Sequence, residues 1–364
     1  MNDGDSDPDN FADKICASLK REYAESSDSG ATADFMWARA AEAHWASGAD
    51  TSAILTAEAA ERGLAELVQS LYAETVSHLS GDLQQFCARS VRVRGVPSNS
   101  IEGAVYPSTM GPYAIVVTTG LMMLLNKIIK IDVARENPAL VAHCNRCPTS
   151  ELTLGLLDEF KRETIANFRC GESRGPIVFL HAHMNASTFL LLTCEERFIV
   201  CHELGHLVSD FILRGKLIEM LNDSFGTDLH RSEYLADVIG FAMLRQSDPL
   251  SSVLGARARA EVGQTANDHL CLSAVCQFFE TLGLAYPGGS ESHPAPHDRV
   301  TNIIATFYGA HFADHYVSWR SRQIPHLEWM RLLTEGARPA DLAQISEALV
   351  SKNGLIRLLG GDLD

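Results

Sequence analysis

With 364 residues, 46% of them hydrophobic and 21% charged, the chain can build one large domain or two modest ones and is too apolar for global disorder. A formal charge of −16 and a pI near 5.3 disfavour a general basic face, so no nucleic-acid partner is expected. Nine cysteines, an odd number at irregular spacing, favour reduced thiols over a disulfide framework.

Residues 1–30 read as an acidic flexible tail. The opening Met1 to Asp9 carries no apolar segment of the kind a secretory signal needs, so the expected location is the cytoplasm. Residues 31–95 read as an N-terminal helical region of two or three packed helices, with Ala60, Leu64, Leu67 and Leu71 at helical steps on an apolar face. The character changes near Val91, and Pro97, Gly103, Pro107, Gly111 and Pro112 punctuate an expected loop region. Ala114 to Thr119 is short and β-branched and reads as a strand, after which Gly120 opens an apolar helix through Ile129. The longest apolar run, Ala114 to Leu125, ends at Asn126 and Lys127, well short of the ~20 residues of a membrane span, so no membrane insertion is expected.

A helix is expected over Leu152 to Asn167 and a second strand over Pro176 to His181. The next helix is expected to start at Thr193, with Glu196 completing a capping box, and to run to about Leu213. Helices over Asp228 to Gln246 and Gln264 to Leu282 follow, then a loop from Pro287 to Pro296 and helical pattern over 298–318 and 323–359. The fold class is α+β, mainly helical, with a small sheet whose edge an extended peptide can join by backbone hydrogen bonds.

The chemistry concentrates in His202-Glu203-Leu204-Gly205-His206. Histidines at i and i+4 share one helix face, so both imidazoles can reach a single ion. Glu203 can approach a metal-bound water without ligating the metal, which is the arrangement water-activated hydrolysis requires. Phe198, Ile199, Val200, Leu204 and Leu207 make the helix apolar, and buried histidines and a buried glutamate need partners. Gly205 costs about 1 kcal/mol relative to Ala inside a helix, which points to close approach of another segment.

Glu233, in Ser232-Glu233-Tyr234-Leu235-Ala236-Asp237, is the first candidate for third ligand, with His230 and Asp237 as rivals. Asp237, one turn on, can take the free ring N–H of a ligating histidine. Ala236 is small enough to let this helix pack close to the first. Downstream, Ser292-His293-Pro294-Ala295-Pro296-His297-Asp298-Arg299 offers His293, His297 or Arg299 as oxyanion donor, though the same residues also read as a polar loop before a helix.

On these residues the chain resembles the gluzincin metallopeptidases, and among them the M48 group of Ste24- and HtpX-like proteases. The matching positions are His202, Glu203, His206, Glu233 and Asp237, with Ser292-His293-Pro294, Arg299 and the step Ile115 to Leu121 as softer matches. The resemblance implies one zinc ion on His202, His206 and Glu233, Glu203 as general base, Asp237 behind a ligand histidine, and His293 first and Arg299 second for oxyanion or gating work. It also implies a zincin-like domain over 96–310; beyond it, helical pattern makes 311–364 a C-terminal helical region. A weaker resemblance to ImmA/IrrE-type peptidases rests on His-Glu-Leu-Gly-His and a downstream Glu. The expected activity is a narrow-specificity cytosolic endopeptidase acting on a protein or peptide, with room for a regulatory protein partner. The alternative is a catalytically inactive zinc-binding sensor or scaffold of the same fold, against which Glu203 speaks.

Other clusters read less sharply. His143-Cys144-Asn145-Arg146-Cys147 with Cys170 holds half of a Cys3His knuckle. His181 and His183 share a strand face if the strand continues, and Met110, Met122 and Met123 read as core.

Overall fold

The computed structural model describes residues 7–22, 57–108, 111–172, 175–213, 228–249 and 256–322. Expectations for Met110, for helix between 32 and 56 and for helix over 323–359 lie outside them. Contacts group the chain into two units, Met1–Ala73 with Gln85–Glu196 and Glu74–Gln84 with Arg197–Asp364, so the span 96–310 runs through both.

In the first unit, Pro8–Glu22 forms helix α1 rather than flexible tail, because Leu19, with Ile15 and Cys16, packs on Val96 and Val116. Arg92 and Arg94 hold it by ion pairs to Asp9, and Arg94 also reaches Asp13. Helices α2 (Ala57–Ser77) and α3 (Gly81–Ser90) follow, α2 burying Leu64, Val68 and Leu71 in this unit, while residues 74–84 at the end of α2 and the start of α3 belong to the second.

Strand β1 (Val91–Val96) takes the end of the region expected as helical, and β2 (Gly103–Pro107) lies in the stretch expected as loop. Val91 and Val93 face inward and alternate with Arg92 and Arg94, the period of a half-buried strand. Both pair with β3 (Tyr113–Thr118), β1 parallel and β2 antiparallel, in the order β1-β3-β2. The central strand is buried from Ala114 onward, which is why it reads as a continuous apolar run.

Helix α4 (Thr119–Glu136) outruns its expected end at Ile129 because Ile131 and Ala134 continue the buried face into the next cluster. Gly120 at its start is required. A Cβ there would lie 2.4 Å from the carbonyl oxygens of Asn99 and Ser100. Strands β4 (Val141–Cys144) and β5 (Val178–Leu180) form a second, antiparallel pair, with α5 (Leu154–Arg169) between them in sequence. Met122 and Met123 are core, and all nine cysteines are free thiols.

Helix α6 (Ala182–Leu213) begins well before Thr193, which lies inside it. No breaker interrupts the preceding apolar residues, and the Thr193 hydroxyl donates to the Phe189 carbonyl at 2.8 Å instead of capping. Because Ala182 already belongs to α6, strand alternation does not carry from His181 to His183. Within the first unit, Glu195 of α6 is fully buried with both carboxylate oxygens lacking a hydrogen bond; burial, then Glu196 and Asp132, push its carboxyl well above the ordinary range.

The second unit takes the rest of α6 together with α7 (Asp228–Gln246), α8 (Ala256–Ala285), α9 (Pro296–Tyr308) and α10 (Ala310–Arg322). Gly309, at φ 94°, divides the helical pattern expected as one piece over 298–318. Helix α9 packs against α7, α8 and α10. Phe198 meets Phe278 and Phe279 edge-on, and Phe241 meets Phe307. The fully buried Arg197 is neutralised by an ion pair to Glu74 and donates to Ser247 Oγ at 3.2 Å. Among the described residues, no helix is long and apolar enough to cross a membrane.

Candidate metal centre

Helices α6 and α7 touch backbone to backbone at two glycines. A Cβ on Gly205 would lie 2.5 Å from the Ala236 carbonyl oxygen and 2.9 Å from its Cα. A Cβ on Gly240 would lie 2.9 Å from the His202 Cα. These near-contacts bring the His202/His206 face of α6 onto the Glu233/Asp237 face of α7.

The rings of His202 and His206 have centroids 4.8 Å apart at 80°. His202 Nε2 is 3.4 Å from Glu233 Oε2, and His206 Nε2 is 3.3 Å from Glu233 Oε1. One donor atom from each of the three residues lies within 4.8 Å of the other two. Among the described residues this is the group of metal-ligating side chains that converges; the rivals and the cysteines do not join it. His230 Nε2 instead contacts the Ser290 carbonyl at 3.0 Å, and His297 stacks on Tyr316. The Arg146 amide donates to Cys144 Sγ at 3.4 Å, with Cys170 exposed at the end of α5.

The other nitrogens are engaged behind the ligand atoms. His202 Nδ1 is 3.0 Å from Asp237 Oδ1, and His206 Nδ1 is 3.3 Å from Ser232 Oγ. Asp237 is fully buried and receives Arg299 through Nε at 2.8 Å and Nη2 at 2.7 Å. Phe279 lies beneath the guanidinium, 4.9 Å from Cζ to the ring centroid. Arg299 Nη2 also sits 3.1 Å from Glu233 Oε2 and 3.4 Å from His202 Nε2.

Charge in this cluster is set by burial against pairing. Burial alone would drive the proton off His202, but hydrogen bonds to Asp237 and Glu233 prevail and push it up to about 10. Burial raises the Glu233 carboxyl and its hydrogen bonds to His202 and His206 overcome that, leaving it well below the ordinary carboxylate range. Asp237 is likewise lowered against its burial, chiefly by Arg299. Glu203 moves the other way: it is 5% exposed, and burial raises its carboxyl despite the two histidines.

His293 sits on the loop before α9, its side chain about half exposed and its Nε2 3.5 Å from Glu233 Oε1. Gly289, at φ 66°, makes that loop possible, since a Cβ would lie 2.6 Å from the His293 carbonyl oxygen. Ser292 Oγ then holds His293 Nδ1 at 2.8 Å. Arg299 by contrast is buried and committed to two carboxylates.

Sequence reasoning did not single out Ser232 or Gly240 as parts of this site. Ser232 is adjacent to Glu233 and carries no signal of its own. Gly240 lies one turn past Ala236, and its placement inside a helix was a usable sign of close packing. Compared with protein-family models, with curated proteins and with solved structures, the chain matches none.

Proposed function

We propose that the chain is a zinc-dependent peptidase with a zincin-like core, its ion held by His202, His206 and Glu233. The observation that carries this reading is the convergence of two imidazole nitrogens and a carboxylate within 4.8 Å, on helices locked together by Gly205 and Gly240. The donor set suits zinc, which takes nitrogen and carboxylate oxygen together. Glu233 Oε2 fits as well: it belongs to a buried carboxylate and faces His202 Nε2 at 3.4 Å.

Zinc held there supplies a Lewis acid that makes a water nucleophilic near neutral pH. Glu203, next along the helix, takes the proton from the attacking water and returns it to the leaving amine. Its raised carboxyl makes it a stronger base than an exposed glutamate. Asp237 and Ser232 fix the rings of His202 and His206 through their Nδ1 atoms. Arg299 keeps Asp237 ionised and pairs with Glu233, so it is a positioning residue. His293, exposed and beside Glu233, is the donor available to an oxyanion developing on the substrate carbonyl.

A second reading, a metal-free or inactive scaffold, rests on Arg299. Its Nη2 lies among the same ligand atoms, 3.1 Å from Glu233 Oε2 and 3.4 Å from His202 Nε2, where it supplies positive charge in its own right. Zinc content and cleavage of a broad peptide panel, for wild type and Glu203→Gln, separate the two. The peptidase reading expects zinc in both and a kcat fall of about 10²–10⁴-fold in the variant. Zinc in both with cleavage in neither is the scaffold result, and zinc in neither removes the metal from the site.

A further inference from the structure

Outside that centre, α10 carries a second histidine pair, His311 and His315, at the same i, i+4 spacing. Its rings have centroids 4.4 Å apart at 81°, nearly the arrangement of His202 and His206. The two Nε2 atoms approach to 3.1 Å. Two nitrogens bound to one ion at about 2.0–2.1 Å, with a tetrahedral angle between them, lie about 3.3 Å apart. The nitrogen separation is therefore within a few tenths of an ångström of a chelating one before any ion arrives.

The helix beneath is anchored on its other face. Ala313 and Tyr316 are buried, Tyr316 donates to Glu280 Oε1 at 3.4 Å, and His297 stacks on its ring. His311 and His315 are themselves exposed, so an ion reaches them from solvent without rearrangement. The formal charge of −16 gives the chain a net attraction for cations.

We propose that His311 and His315 form a second metal site, a solvent-facing bis-imidazole chelate for a borderline divalent transition ion such as Ni2+, Cu2+ or Zn2+. Imidazole selects these ions over Mg2+ and Ca2+, which demand oxygen donors. In the metal-free pair one Nε2–H donates to the other Nε2; binding uses both Nε2 lone pairs, so the proton of the donor ring moves to its Nδ1 and the neutral pair keeps its protons. The remaining coordination positions stay open to water. The site is independent of the peptidase reading, since it shares no residue with it.

The test is to titrate the metal-free full chain with Ni2+ and count bound equivalents by equilibrium dialysis, for wild type, His311→Gln and His315→Gln. Each variant is expected to bind one equivalent fewer than wild type, with an unchanged far-UV helical signal. Because only the difference is read, the result does not depend on whether His202, His206 and Glu233 bind the ion. Equal stoichiometry in wild type and both variants overturns the proposal, as does retention of the lost equivalent in either single variant. Both positions are exposed, so glutamine there leaves the buried contacts of Ala313 and Tyr316 in place.

Discussion

Two His-x-x-x-His pairs that lie wholly within a described helix, His202/His206 and His311/His315, share spacing and ring angle and differ in almost everything around them. The first pair is pressed against a partner helix that adds Glu233 between its Nε2 atoms and Asp237 and Ser232 behind its Nδ1 atoms. The second faces solvent, and among the described residues no carboxylate joins it to complete a group of three. Helix geometry alone therefore yields a chelate. Catalytic character needs a third ligand, an oriented ring and a buried base: the first two come from a second helix, and the base is Glu203, buried beside His202 on the same helix as the pair.

The largest way to break that contrast is Asp237→Asn. It leaves the buried Arg299 with one carboxylate, Glu233, and puts a neutral amide behind His202 Nδ1, so the metal-free protein should lose about 3–5 kcal/mol in denaturant unfolding. Zinc affinity at the buried pair should fall about 10–100-fold, while Ni2+ binding at His311/His315 stays as in wild type. Equal losses at both pairs would mean that Asp237 acts on the whole fold rather than on His202.

Gly205→Ala probes the helix contact itself. The added methyl meets Ala236 backbone at 2.5 Å, so one helix must shift, at a cost of about 1–3 kcal/mol. Thermal unfolding measures this, and weaker zinc binding should accompany it because Glu233 moves with α7. A variant as stable as wild type would show that the helices do not approach this closely.

The smallest expected change is Ser232→Ala, which removes one hydrogen bond to His206 Nδ1 at about 0.5–1.5 kcal/mol. Zinc competition should report a loss of at most about tenfold, smaller than that of Asp237→Asn. A larger effect than Asp237→Asn would reverse the ranking of the two orienting groups.

Local chemistry made part of this legible in advance. His202, Glu203 and His206 announce themselves by spacing, and Gly205 and Ala236 by being small where two helices meet. Helix α7 matches its expected bounds from Asp228 to Gln246, an unbroken run of helix length that is buried on all faces from Leu235 to Arg245. The strands β1 and β2 were missed although Val91 and Val93 alternate with Arg92 and Arg94, since nearby Pro and Gly masked so short a pattern. Helix α1 lay hidden within an acidic stretch, its stability coming from Val96, Val116, Arg92 and Arg94, distant in sequence.

The sequence by itself determined that two imidazoles and a glutamate share one helical segment, because that follows from 3.6 residues per turn. Tertiary structure alone decided that Glu233 Oε1 and Oε2 face the two Nε2 atoms, that Arg299 binds Asp237 and Glu233 together, and that His230 turns to the Ser290 carbonyl. These are contacts between residues far apart in the chain. Their existence depends on how closely α6, α7 and α9 pack, a matter of side-chain volume and backbone approach that periodicity does not encode.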